Sequence, residues 1–148
     1  MKDKIKAILR EALENTTDVH KDADEKKIVA GALIKCSSTN NIFLLLRNDR
    51  TPTWALVSGG IKNHENPLEG LKREIYEELF IKPNILTFKF IRVEHIPEKN
   101  MEFHYFEASC QYEFKPILDE ENLEWRWFSK DKLPSPLYKG LNEKIANI

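Results

Sequence analysis

The stretch from Gly59 to Ile81 constrains this chain more than any other. It joins a glycine pair, a polar loop and a helix-forming segment with two distinct faces. Glu74, Glu77 and Glu78 stand at i, i+3 and i+4, so on a helix they share one face. Leu68, Leu71, Ile75 and Leu79 fall at i, i+3, i+7 and i+11. The 3.6-residue period makes them a separate stripe, roughly on the other side of the cylinder. One face is expected to anchor in a core and the other to present carboxylates. The start of this helix is well marked. Asn66 is a capping residue, Pro67 suits the first turn, and Glu69 three positions on completes a capping box, so the helix is predicted over 67–79. Gly70 inside it costs roughly 1 kcal/mol against Ala, which a close backbone approach to the sheet would explain.

Three like charges on one helix face repel, and carboxylate clusters attract hard divalent cations, which prefer oxygen ligands. For any pair of these glutamates alone, a solvated acidic face is the plainer reading. Arg73 has Glu69 and Glu77 at i±4 and is suited to grip a loop carboxylate, and Glu65 stands before the helix in that place.

Taken whole, the stretch resembles the Nudix box, G-x5-E-x7-R-E-U-x-E-E-x-G-U, where U is a bulky aliphatic residue. Gly59, Glu65, Arg73, Glu74, Glu77 and Glu78 occupy the six fixed positions before the last glycine, and Ile75 and Ile81 occupy the aliphatic ones. Each such residue type occurs at roughly one position in fifteen, so their coincidence at this spacing is specific. Phe80 stands where the family has glycine. A left-handed Phe costs roughly 1–2 kcal/mol, so a different helix exit is expected here. Just upstream the chain reads WALVSGG where many relatives read W-x-L-P-G-G-G, with Val57 for Pro and Ser58 for Gly. Downstream, Glu121, Glu124 and Trp127 match E-x-x-E-x-x-W, followed in relatives by a polar helix ending in Leu-Pro. The resemblance covers about residues 28–133.

The length of 148 residues suits one domain. It is read as an N-terminal helical extension and connector over 1–27, a core over 28–133 and a C-terminal helix over 134–148. Lys plus Arg is 23 and Asp plus Glu is 24, so the net charge of −1 gives no electrostatic case for a long nucleic-acid footprint. Cys36 and Cys110 read as buried free thiols. No apolar run approaches a membrane span, and the charged N-terminal stretch lacks the apolar core of a signal peptide, so a cytoplasmic location is expected.

Residues 2–14 carry Ile5, Ile8, Leu9, Ala12 and Leu13 at helical spacing. This amphipathic helix is expected to pack on the domain's flank, with a dimer contact or a cover for the site as the sharper alternative. Residues 28–35 and 42–47 read as a hairpin around the turn cluster at 37–41, and 54–57 as a short strand. Residues 85–95 and 102–114 read as two further strands, and 137–148 as a closing helix. Arg47 and Arg50 begin a loop and are candidates for phosphate contact, although a solvated role is the commoner one for each. His95, His104, Tyr105 and Phe106 are candidates for contacting a base or sugar, against plain sheet packing.

The resemblance implies an α/β fold, an α/β/α sandwich around a mixed sheet, and hydrolysis of a nucleoside diphosphate linked to another group. It implies Mg2+ or Mn2+ as cofactor, with Glu74, Glu78, Glu77 and the main chain of Ser58 as ligands. Glu65 and Arg73 are implied to position the cluster, and Gly59 and Gly60 to face the substrate. Glu121, with Glu120 as its rival, resembles a distal glutamate that binds metal or acts as general base; the box glutamates are the other candidates for the base. The substrate stays open among nucleoside triphosphates, nucleotide sugars such as ADP-ribose, dinucleoside polyphosphates and a capped RNA end. A homodimer stays open too. The competing function class is a non-catalytic nucleotide sensor, which typically loses box carboxylates that this chain retains.

Overall fold

The computed structural model describes Lys6 and residues 25–148. The expected N-terminal helix and its connector lie outside the described residues, apart from Lys6 and the last residues of the connector. The strands are β1 (Lys27–Cys36), β2 (Ile42–Arg47), β3 (Trp54–Ala55), β4 (Val57–Gly60), β5 (Thr87–Ile96), β6 (Met101–Cys110) and β7 (Asn122–Phe128). The helices are α1 (Pro67–Leu79) and α2 (Leu141–Asn147). They form an α/β fold with one mixed sheet, in the order β3-β2-β1-β6-β5, with β4 paired to β1 and β7 to β2. Only the β1–β6 pair is parallel among the strand ladders; the others are antiparallel.

The alternation of β1 and β2 sorts the core into two layers. Ala30, Ala32, Ile34, Phe43 and Leu45 face α1, whose Leu71, Ile75 and Leu79 complete that cluster. Leu33, Ile42 and Leu44 face the other way, toward Trp54, Tyr105 and the Leu141 and Ile145 of α2. Cys36 and Cys110 are buried free thiols at partner positions of β1 and β6.

The expected strand at 54–57 is divided. Trp54 and Ala55 pair with β2, whereas Val57 to Gly60 pair with β1, and Leu56 is the corner between them. This segment fills the splay between β1 and β2, which pair directly only at Ile34–Phe43 and Lys35–Ile42. The closing helix is shorter than its apolar spacing suggests. Leu137 makes a parallel bridge to Trp54, whose N–H donates to Pro136 O and whose O accepts from Tyr138 N–H, so the chain is held extended at Leu137 and turns through Lys139 and Gly140 before the helix begins. The polar helix of relatives before Leu-Pro is here a turn, closed by Lys132 N–H donating to Ser129 O at 3.1 Å.

Helix α1 begins and ends at the predicted residues. Asn66 Oδ1 accepts from Glu69 N–H at 2.9 Å, and Glu69 returns a carboxylate to Asn66 N–H. Gly70 does meet a close neighbour: a Cβ there would lie 2.4 Å from Ile61 Cδ1. That neighbour belongs to the loop after β4 and not to the sheet. Asn66→Ala is expected to lower stability by about 1 kcal/mol, read as a reduced urea midpoint at unchanged slope.

Candidate active site

Arg73 is the hub around which the acidic groups are arranged. Its Nε donates to Glu65 Oε2 at 2.7 Å, one terminal nitrogen to Glu74 Oε1 and Glu77 Oε2 at 3.0 Å each, and the other to Glu65 Oε1 at 3.0 Å and Gly60 O at 2.9 Å. These five bonds match the five donors of a guanidinium. Although burial opposes the charged form, Glu65, Glu74 and Glu77 together hold the guanidinium well above its ordinary pKa. Burial works against Glu65 too, but Arg73 and the Lys62 N–H bring its carboxyl below the ordinary 4.5. The predicted link from a loop carboxylate to the helix is therefore present, and it uses both oxygens of Glu65.

The three helix glutamates do not stand opposite the apolar stripe. Glu77 and Glu78 are only 6 % and 5 % exposed. Glu78 lies seven residues after Leu71, a step that returns to within about 20° of the same direction. It therefore flanks the stripe and is buried beside it. Glu77 turns instead to Arg73. It is not among the residues that border the cleft, which are Lys27, Val29, Arg47, Ser58, Gly59, Gly60, Glu74, Glu78 and Glu121.

That cleft of about 320 Å³ gathers residues from five segments, β1, β2, β4, α1 and the loop before β7. β4 brings Ser58, Gly59 and Gly60 because it pairs with the first half of β1. Gly59 leaves room for the helix carboxylate: a Cβ there would stand 2.2 Å from Glu74 Cδ. Glu121 arrives on a pinned loop. Phe114 and Trp127 flank Phe43, at 4.8 and 5.2 Å between ring centroids, and Trp127 Nε1 donates to Phe114 O. Farther along, Ile117 N–H donates to Leu79 O, Glu121 N–H to Asp119 Oδ1, and Asn48 N–H to Glu121 O. Of the two loop rivals, Glu121 enters the cleft. Glu120 is exposed, and its main-chain O accepts from Asn48 Nδ2.

Burial, followed by the Glu74 charge, a hydrogen bond with Glu121 and the Glu121 and Asp119 charges, pushes the Glu78 carboxyl well above its ordinary range. Side chains that repel in this way are relieved by a cation. All the oxygen donors are hard, and the cradle that Gly59 opens beside Glu74 lies at the same place, so the residues fit a divalent metal of the Mg2+ class. Among the described residues no three acidic, imidazole or thiol groups already stand as a finished cage; Glu74, Glu78 and Glu121 border the cleft instead.

The cleft adjoins a second cavity of about 490 Å³, with Lys27, Val29, Arg47 and Ser58 common to both. Its apolar wall includes Ile96, Met101, Phe103 and Leu141. Arg47 borders both spaces and pairs with Asp49 at 2.9 Å. Arg50 borders neither and is exposed, because β2 ends at Arg47 and the chain bends away. His95, His104, Tyr105 and Phe106 do not border the cavity either. Phe106 packs in the α1 layer and Tyr105 is buried in the α2 layer. The residues of β5 and β6 that do reach it are Glu94, Ile96, Met101 and Phe103. Assigning these strands their faces by period two, with Leu33 as reference, would have found Phe103. Glu94 is displaced by a bulge between Phe90 and Arg92, which the sequence does not announce.

Phe80 corrects another expectation. The helix does exit through a left-handed residue, with Phe80 at φ 54° and ψ 39°, and its N–H donates to Tyr76 O at 2.9 Å. The ring stacks obliquely against Tyr76, with centroids 5.6 Å apart, and Lys6 Nζ stands 5.4 Å from its centroid. These contacts offset the strain.

Arg73→Met is expected to cost about 3 kcal/mol or more, since it strands buried carboxylates without a counter-charge; chemical denaturation measures it. A second outcome concerns pH. Glu78 has a raised folded value, so its contribution to stability falls as pH rises above its ordinary 4.5. Glu65 has a lowered value and loses its contribution only below that range. Metal-free protein is therefore expected to melt at lower temperature at pH 8 than at pH 6, with Mg2+ closing the gap. Equal melting at both pH values, with and without Mg2+, would refute this account of Glu78.

Comparison with known proteins agrees with this geometry. The NUDIX domain family matches residues 25–147. The chain is 29% identical over 115 residues to a dihydroneopterin triphosphate diphosphatase of Haemophilus influenzae, covering 68% of this chain and 72% of that protein. It is 26% identical over 86 residues to an 8-oxo-dGTP diphosphatase of Proteus vulgaris, covering 56% and 77%. Its fold is similar to the crystal structure of a NUDIX hydrolase from Nitrosomonas europaea, with a TM-score of 0.70 at 19% identity, covering 90% of this chain and 76% of that one. Among the described residues no helix is long and apolar enough to cross a membrane. With the box residues gathered around one acidic cleft and the match running through nearly all of the described chain, the protein belongs to the NUDIX family, as a pyrophosphohydrolase of that family.

Proposed function

We propose that this chain hydrolyses the pyrophosphate linkage of a small nucleoside diphosphate derivative, with a nucleoside triphosphate as the favoured substrate, by attack of water at phosphorus. The observation that carries this is the shared wall of the two spaces: an acidic cleft adjoins a cavity with an apolar wall, with Lys27, Val29, Arg47 and Ser58 bordering both. The cleft suits a metal-bound diphosphate and the cavity suits a ring. Two relatives are named for dihydroneopterin triphosphate and 8-oxo-dGTP, which supports a small triphosphate here.

In this reading Glu74, Glu78, Glu121 and the main chain of Ser58 hold Mg2+ or Mn2+, and Glu77 supports the cluster through Arg73. The bound cation supplies charge neutralisation of the diphosphate and acidifies water. A cleft carboxylate, Glu121 or one of the box glutamates, takes the proton as the water oxygen bonds to phosphorus. The bridging P–O bond breaks, and the leaving phosphate carries away the electron pair. Arg73 and Glu65 keep Glu74 aimed through this change of charge. Arg47 stands where the two spaces meet and is placed to contact a phosphate. Glu94 and Lys144, paired at 3.0 Å on the cavity wall, offer an acceptor and a donor to the edge of a heterocycle. A cytoplasmic location accords with a small-nucleotide substrate.

The test is phosphate release, after coupling to pyrophosphatase and phosphatase, across nucleoside triphosphates, ADP-ribose, dinucleoside polyphosphates and capped RNA, with Mg2+ and with Mn2+. A metal-dependent turnover that falls on the order of a hundred-fold in Glu78→Gln is expected, with the highest kcat/KM on a triphosphate. No turnover of any of these, with nucleotides still raising the melting temperature, would replace this reading by a nucleotide sensor.

A further inference from the structure

Lys6 is 3 % exposed, a rare burial for an ammonium group. It lies outside the residues matched by the NUDIX family. Its Nζ donates to the main-chain O of Glu78 at 3.0 Å and to the main-chain O of Ile117, and it stands over the Phe80 ring. A desolvated ammonium is tolerated only where such partners replace water. The two carbonyls belong to the two segments that bring the site's carboxylates together. Glu78 is the next-to-last residue of α1, and Ile117 leads the loop to Glu121.

The end of α1 explains why a cation is wanted there. The last carbonyls of a helix have no partners within it, and its C-terminus carries partial negative charge. Tyr76 O is met by Phe80 N–H and Leu79 O by Ile117 N–H. Glu78 O is met by Lys6. The last turn of α1 has no basic residue of its own, so the charge is supplied from the distant N-terminal segment. A glycine at position 80 would offer no ring to that ammonium. Lys6 and Phe80 therefore form one device, and the departure from the box is half of it.

We propose that Lys6 is a positioning residue of the hydrolytic site, whose ammonium ties the helix end bearing Glu78 to the loop bearing Glu121 and so sets the approach of the two carboxylates. This rests on the reading of Glu78 and Glu121 as metal ligands. Lys6 thereby acts on the metal site through the main chain, without contributing a ligand.

The test uses the full chain with Lys6→Met, which keeps the length of the side chain and removes its charge and donors. Free Mn2+ is followed by electron paramagnetic resonance during titration without substrate, and amide hydrogen exchange is followed over 115–121. The Mn2+ concentration for half-saturation is expected to rise about ten-fold, with faster exchange at 117–121 and a loss of rate that excess Mn2+ recovers. A lower melting temperature with unchanged Mn2+ half-saturation and unchanged exchange would make Lys6 a merely structural group and overturn the proposal. If the wild type binds no Mn2+, the metal reading falls by itself, and the exchange over 115–121 still decides whether the tie exists. Should Lys6→Met not fold, Phe80→Leu removes the ring beneath the ammonium. It is expected to shift both readouts the same way by a smaller factor, and no shift in either would overturn the proposal.

Discussion

The rest of the site depends on one guanidinium that has no donor to spare. Arg73 binds the loop through Glu65 and Gly60 O, and the helix through Glu74 and Glu77. Without it, three carboxylates with little access to water would face one another, and the loop from Gly60 to Asn66 would have no charged tie to the helix. Because the fork is planar and its five donors are all used, it fixes direction as well as distance. Glu74 is thereby turned toward Gly59, where the lack of a side chain admits it. The repulsion in the acidic cleft is partitioned: Arg73 neutralises one side, and on the other Glu78 hydrogen-bonds with Glu121.

The second constraint is the splay of β1 and β2. They do not run on as a continuous hairpin. Instead the two strands part after two paired positions, and the segment from Trp54 to Gly60 pairs first with one and then with the other. The corner at Leu56 separates two environments. On one side Gly59 and Gly60 border the acidic cleft; on the other Ala55 and Leu56 border the cavity with the apolar wall, and Ser58 borders both. An acidic cleft and a cavity with an apolar wall thus share one short stretch of backbone.

Helix α1 is held at both ends by groups that do not belong to it. Its start is sealed by Asn66 and Glu69, a local arrangement. Its end is sealed by Phe80, Ile117 and Lys6, which come together only in the folded chain. A left-handed Phe is strained, and it persists here because its N–H, its ring and the segments that meet it are all engaged.

The sequence by itself determined the elements whose causes are local. Asn66, Pro67 and Glu69 set the start of α1, and the apolar spacing of Leu71, Ile75 and Leu79 set its buried face. The spacing from Gly59 to Glu78 was specific enough to indicate the family and the acidic chemistry. Tertiary structure decided the rest. The burial of Glu78 follows from a seven-residue return to the direction of Leu71, which matters only once the sheet covers that side. The entry of Glu121 in place of Glu120 and the exclusion of Arg50 depend on where strands end and loops are pinned, whereas the pairing of Glu77 with Arg73 is a local i,i+4 contact. The cavity wall on β5 and β6 depends on a bulge that reverses side-chain direction. Lys6 is the extreme case: 72 residues separate it from Glu78, and no periodicity or spacing links them. Short-range hydrogen bonds and helical period can be read along a chain, whereas partners brought together by packing are set by the whole fold.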